Sequence, residues 1–340
     1  MPNISDLFGD LLRETSCQEV EPVNNLVLRY IDSNSNVPLF IGLNLKTNTK
    51  YLFILLNEKL TEEIFSKFPT WNGLIIDQYN TSIEIAGLHN KWFLVLQHQH
   101  ENDYKIFEAI INDICQELIG LKKHHDMFQK LIRTLERWKY FFSLNGREGL
   151  SVQAQQGIYG ELQVLKELLA NSSADSNTII NSWIGPERQP HDFVFSDRAL
   201  EIKTFTSKKH YKVSISNEMQ LDDEGINHLY LIAIRLRKVE SGETLPEIIM
   251  QIMHMLCDAP FLVELFKEKL FNLGYLQEQS ELYSQGYLVL DMFSFKIEPG
   301  FPRLLSNNLP QGVGDVSYTI QLSACEPFKV DFKNEVINLN

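Results

Sequence analysis

Cysteine is scarce in this chain: four residues among 340, at positions 17, 115, 257 and 325, with no Cys-x-x-Cys pair. So wide a spacing excludes a zinc knuckle or a disulfide framework and predicts reduced core thiols. No apolar run approaches the roughly 18 residues that a membrane span needs. Residues 1–17 also lack the basic-then-apolar pattern of a leader. The expectation is a cytoplasmic protein without membrane contact. Basic charge is in deficit too, with 31 Lys and Arg against 44 Asp and Glu and a net charge of −13. That excludes a protein that coats nucleic acid, because such binding is driven by clustered Lys and Arg releasing counterions. A local site is still allowed. Residues 121–147 carry seven basic residues against two acids, either a helix that lies along a phosphate backbone or a solvated helix face.

What is present is concentrated in residues 191–203, His-Asp-Phe-Val-Phe-Ser-Asp-Arg-Ala-Leu-Glu-Ile-Lys. Two short apolar runs flank the polar break Ser196-Asp197-Arg198, the pattern of a β-hairpin. Side chains alternate faces along a strand, so Glu201 and Lys203 share one face and Leu200, Ile202 and Thr204 the other. A two-residue turn puts Asp192 opposite Glu201, and a four-residue turn puts it opposite Lys203. Both registers bring Asp192 onto the Glu201 and Lys203 face, whereas a three-residue turn splits them. Two carboxylates and an ammonium on one patch of a sheet are costly unless a cation sits among them.

Such a cluster suits phosphodiester hydrolysis. Asp192, Glu201 and the Ile202 carbonyl offer hard oxygen ligands to Mg²⁺ (or Mn²⁺), which keeps several waters and takes one or two carboxylates. Lys203 is placed to orient or help deprotonate the attacking water and to add positive charge at the transition state. Acid-any-Lys alone carries little weight, since Asp103-Tyr104-Lys105 and Asp331-Phe332-Lys333 match it as well. Neither of those follows an acid on a strand across a tight turn.

With Asp192 and Glu201-Ile202-Lys203 in these positions, the hairpin resembles the PD-(D/E)XK nuclease superfamily. The flanking sequence is similar to one bacterial family placed within it. The likeness rests on the Gly160-Glu161-Leu162 helix, Trp183-Ile184-Gly185-Pro186, His191-Asp192-Phe193 and Leu200-Glu201-Ile202-Lys203-Thr204. It extends to Trp138 upstream, and to Gly300-Phe301-Pro302-Arg303-Leu304 and Val316-Ser317-Tyr318 downstream. One departure is His191, where the superfamily has proline before the aspartate; that position carries no ligand. The resemblance implies a restriction-endonuclease-like α/β (α+β) fold, a mixed sheet flanked by helices. It also implies a DNA substrate, a bacterial restriction or phage-defence setting with protein partners, and a possible oligomer. In the superfamily a helix before the sheet often brings a glutamate to the metals, which makes Glu161 the candidate third acid.

Around that core, apolar runs at residues 26–31, 38–45, 51–56, 74–76, 83–88 and 92–96, with a short helix near 61–68, predict a β-rich N-terminal domain at residues 1–118. It offers no metal-ligand spacing, no nucleophile constellation and no glycine-rich phosphate loop. His98 and His100 read as a strand exit rather than a metal pair. A connecting helix and hinge follow at 119–149. The nuclease-like domain with a C-terminal elaboration takes 150–340: a helix at 151–170, a strand near 178–183, the hairpin, strands at 211–216 and 228–236, broken helices at 246–273, and strands at 286–297 and 316–322. Lys208, Lys209 and Lys212, with His210, form a basic cluster placed to meet phosphates. The rival to a nuclease is a non-catalytic DNA-binding or scaffold subunit of a defence complex that keeps the fold. The three mutually awkward charges, intact, count against it.

Overall fold

A computed structural model describes residues 3–16, 25–31, 37–80, 88–99, 104–119, 121, 124–145, 148–207 and 209–337. The chain divides into two compact units, residues 1–146 and 147–340.

The first unit opens with α1 (Ile4–Ser16), whose Ile4, Leu7, Phe8 and Leu11 recur at helical spacing and are buried. Five antiparallel strands follow: β1 (Leu26–Tyr30), β2 (Leu39–Asn44), β3 (Thr49–Leu56), β4 (Leu74–Asn80) and β5 (Trp92–His98), in the order β1-β2-β3-β5-β4. The short helix α2 (Glu62–Phe65) is capped by the Thr61 side chain. The apolar run at 83–88 falls, but for Leu88, outside the described residues. Next come α3 (Tyr104–Leu118), which buries Ile106, Ile110 and Ile114, and α4 (His124–Asn145). Asp113 on α3 accepts hydrogen bonds from Arg137 and, at 2.9 Å, from Trp138 Nε1 on α4; Lys130 pairs with Glu117. Two of the basic residues of 121–147 are therefore spent on the neighbouring helix. Among the described cysteines, Cys115 and Cys325 are buried and Cys257 is exposed.

The second unit is a mixed sheet of five strands between two apolar layers. Helix α5 (Val152–Asn171) starts where Ser151 accepts from the Ala154 N–H, and buries Ile158, Leu162, Leu165 and Leu168. The strand expected near 178–183 is instead a helix, α6 (Ser176–Ser182). Asp175 caps it, accepting from the Thr178 N–H at 3.0 Å. That cap satisfies the first helical turn and lets Ile179 and Ile180 reach the core from a helix, overriding the strand preference of Thr-Ile-Ile. The hairpin is β6 (Phe193–Val194) and β7 (Arg198–Phe205).

Beyond it lie β8 (Lys212–Ile215), β9 (His228–Thr244), α7 (Leu245–Met255), α8 (Pro260–Asn272), β10 (Gly286–Ile297), β11 (Tyr318–Gln321) and β12 (Lys329–Val330). The sheet order is β12-β10-β9-β7-β6, with β7 and β9 parallel and the other pairs antiparallel. Strand β9 runs well past residue 236 because β10 continues to pair with it, Tyr287 opposite Lys238 and Gly286 opposite Thr244. Glycine is required where the two cross: a Cβ on Gly242 would lie 2.6 Å from the Tyr287 carbonyl oxygen. Strands β8 and β11 stand apart as a two-stranded ribbon.

Alternation along β7 divides its side chains between the layers. Leu200 and Ile202 join the core with α5, α7 and α8, while Ala199 and Phe205 join the core beneath the ribbon, with Val213, Ile215 and Ile320. By the same parity Glu201 and Lys203 belong to the ribbon side. On the helix side, a Cβ on Gly160 would meet Thr204 Cγ2 at 2.3 Å, so α5 lies directly on β7 there. The next residue on α5 is Glu161.

Candidate active site

The hairpin adopts the two-residue register. Phe195 N–H donates to the Arg198 carbonyl at 2.8 Å around Ser196-Asp197, Val194 pairs with Ala199, and Phe193 with Leu200. Buried Arg198 holds the tip: its guanidinium pairs with Asp197 and donates to the Glu335 and Val336 carbonyls. Beyond the Phe193–Leu200 pair the Asp192 N–H donates to the Leu200 carbonyl at 3.1 Å, which sets Asp192 at the head of β6 beside Leu200–Ile202 of β7. The Asp192 carboxylate turns along the strand edge, where Oδ2 accepts from the Ile202 N–H at 2.7 Å. A strand residue projects its N–H and C=O to the same edge, so the Ile202 carbonyl also faces this side.

Glu201 is fully buried, and among the described residues Oε2 has no hydrogen-bond partner. Its counter-charge is Lys203, whose Nζ lies 2.6 Å from Oε1. Glu161 reaches the group from α5: its Oε2 accepts from Trp183 Nε1 at 2.8 Å. A Cβ built on Gly185 would lie 2.9 Å from Glu161 Oε2 and 3.1 Å from Asp192 Oδ1, so this glycine packs close against both carboxylates.

The electrostatics follow from burial and crowding. Loss of water pushes the Asp192 carboxyl up to about 6, against the opposing pull of Lys203 and the Ile202 N–H. Burial, then the charge of Asp192, holds Glu201 and Glu161 well above the usual carboxylate range. Burial works against the Lys203 ammonium, but Glu201 and Asp192 outweigh it and raise the lysine above its ordinary value. At neutral pH, Lys203 is a cation.

Three acids and one lysine are thus brought into mutual electrostatic reach. Among the described residues, no three His, Cys, Asp or Glu side chains close into a ready-made cage for an ion. The donor set fits a hard cation that takes one or two carboxylates and keeps its waters. Among the described residues the buried Glu201 Oε2 has no hydrogen-bond partner, which is the kind of oxygen such an ion takes up.

The three lysines of the basic cluster are placed unevenly. Lys208 lies outside the described residues. Lys209 is exposed ahead of β8, and Lys212 is exposed on β8, across from Gln321 of β11. The ribbon packs on the strand that carries Glu201 and Lys203, its Val213, Ile215 and Ile320 sharing a core with Ala199 and Phe205 of β7.

Two residues of the site surroundings have little signal in the sequence. Trp183 stands out in its Trp-Ile-Gly-Pro motif, but its indole bond to Glu161 spans 22 residues. Lys269, buried on α8, donates to the Trp183 carbonyl at 2.5 Å and pairs with Glu187 Oε1 at 2.8 Å. It reads in sequence as one more lysine on a helix.

With this geometry in view, the model of one family, DUF4420, described as "Putative PD-(D/E)XK family member", matches residues 6–323. The chain belongs to that family. Its second unit accordingly has the nuclease-like α+β fold of a superfamily made up mostly of nucleases. No curated protein and no solved structure matches the chain. Among the described residues no helix is long and apolar enough to cross a membrane.

Proposed function

We propose that the protein is a divalent-metal-dependent endonuclease that hydrolyses phosphodiester bonds of DNA in bacterial restriction or phage defence. The observation that carries the reading is the gathering of Asp192, anchored through Oδ2 to the Ile202 N–H, with fully buried Glu201 and its ion-pair partner Lys203 on the neighbouring strand. Burying such charges without a cation is expensive, and a scaffold has no use for them.

In this reading Asp192, Glu201 and the Ile202 carbonyl hold Mg²⁺ or Mn²⁺, with Glu161 as a further acid. Bound there, the ion lowers the pKa of a water and offsets charge on the phosphate oxygens. The Ile202 N–H fixes the Asp192 carboxylate against the strand edge through Oδ2. Lys203 acts as an ammonium that donates to the incoming water or a phosphate oxygen, rather than as a base, because its neighbours hold its proton. In the reaction one P–O bond forms from the water oxygen as the bond to the leaving sugar oxygen breaks. The water proton passes to solvent, and the departing oxygen takes one up. Exposed Lys209 and Lys212 on the ribbon side meet backbone phosphates.

The test is incubation of the purified full chain with plasmid, linear duplex and single-stranded DNA, in Mg²⁺, in Mn²⁺ and in EDTA. Metal-dependent nicking or cutting is expected. Binding without cutting under every condition, with and without products of neighbouring genes, would replace the nuclease by the non-catalytic subunit.

A further inference from the structure

The turn at residues 183–187 touches both acids that do not lie on β7. The Ile184 and Gly185 N–H groups each donate to the Asp192 carbonyl at 2.9 Å, while Trp183 Nε1 donates to Glu161 Oε2 at 2.8 Å. The indole is fully buried and packs on Phe193 and Phe266. From α8, buried Lys269 grips the turn at two points, the Trp183 carbonyl and the Glu187 carboxylate. Gly185 stands where any side chain would press on Glu161 and Asp192. Its φ is not in the left-handed region, so clearance rather than backbone conformation explains the glycine.

We infer that this turn is a positioning element that sets the separation of Glu161 from Asp192 for cation binding, with Trp183 acting through Glu161, and Lys269 clamping the turn to α8. The inference rests on the metal-site reading above. The physical reason is that a carboxylate free to rotate binds an ion poorly. A donor on one of its oxygens fixes its rotamer and favours its charged form, and loss of such an outer partner typically weakens metal affinity about 10- to 100-fold. An indole N–H suits this role because it donates only and is itself immobilised by ring packing.

The experiment is calorimetric titration of Mn²⁺ into the full-length protein and its variants, with thermal melting as the fold control. Trp183→Phe keeps most of the ring packing and removes the N–H. It should weaken Mn²⁺ binding by roughly tenfold or more. In a Glu161→Gln background the same substitution should have no further effect, a coupling that a merely structural tryptophan would not show. Lys269→Met should cause part of the same loss. Should Trp183→Phe fail to fold, Gly185→Ala decides: its methyl crowds the two carboxylates and should weaken Mn²⁺ binding on a stably folded chain. Wild-type affinity in Gly185→Ala, or in a folded Trp183→Phe, overturns the inference, as does a Trp183→Phe loss that persists undiminished beside Glu161→Gln. If the wild type binds no Mn²⁺ or Mg²⁺ at all, the metal-site reading falls and this inference falls with it. The two failures are thereby told apart.

Discussion

Asp192 Oδ2 accepts the Ile202 N–H at 2.7 Å, so the first acid of the site is anchored to the strand that carries the other two functional side chains. This bond lets charge be separated from shape. Asparagine at 192 keeps an acceptor for the same N–H and removes the charge. In metal-free protein, Asp192→Asn should therefore melt at the same temperature as wild type or slightly higher, while cleavage is abolished. Asp192→Ala leaves the N–H without its partner and should cost about 1–3 kcal/mol. Thermal melts in EDTA compare the two; equal destabilisation by both would show that the carboxylate charge is not repelled there.

The raised carboxyls give the metal-free protein a pH dependence of definite sign. Asp192 titrates at about 6 in the fold against 3.8 as a free side chain, and Glu201 and Glu161 move in the same direction. Between those values the folded chain binds more protons than the unfolded one, so stability is highest below about pH 4 as far as Asp192 is concerned. It is lost as pH rises through 6. Melts in EDTA should show the fold weaker at pH 7.5 than at pH 5, on the order of 2 kcal/mol. Saturating Mg²⁺ should remove most of the difference. A fold that strengthens steadily across that interval would contradict the crowding of the acids.

Lys203→Ala removes the ammonium paired with Glu201. Cleavage should fall by ~10² or more, the scale of losing a positioned acid-base or charge-donating group. Metal affinity should stay or rise, because a like charge beside the cation is gone. Without metal the variant should be less stable at pH 8 than wild type, since Glu201 is left buried with no counter-charge. Single-turnover kinetics and calorimetry separate these effects.

Lys209→Ala with Lys212→Ala tests the ribbon side. Removing two phosphate-facing ammonium groups should lower duplex affinity regardless of sequence, and should reduce the slope of log K against log salt by about 2. An unchanged slope would move the nucleic-acid face elsewhere.

Much of the site can be read along the chain because its key residues are close together. Asp192, Glu201 and Lys203 fall within one hairpin, where a period of two decides which side chains share a face, and only turn length separates the registers. Ser196-Asp197 as the two-residue turn is settled by the Phe195–Arg198 bond, and Arg198 is in turn held by carbonyls of residues 335 and 336. No local pattern carries that. The same distance hides Lys269, whose meaning comes from a carbonyl 86 positions away. Helix α6 misleads because its apolar Ile179 and Ile180 fit either period, and the deciding cap is Asp175. Strand β9 is underread because the polar residues from 237 to 244 have no strand signal of their own; they are held by β10, which lies far along the chain.

The most direct test of the account is Mg²⁺-dependent cleavage of duplex DNA by the wild type beside Glu201→Gln. That substitution keeps the side chain's shape, removes the buried charge and leaves Lys203 without its pair. Metal-dependent cleavage is expected of the wild type and none of Glu201→Gln at any Mg²⁺ concentration, with the variant folded and its metal binding weakened. Cleavage by Glu201→Gln at the wild-type rate would contradict the account.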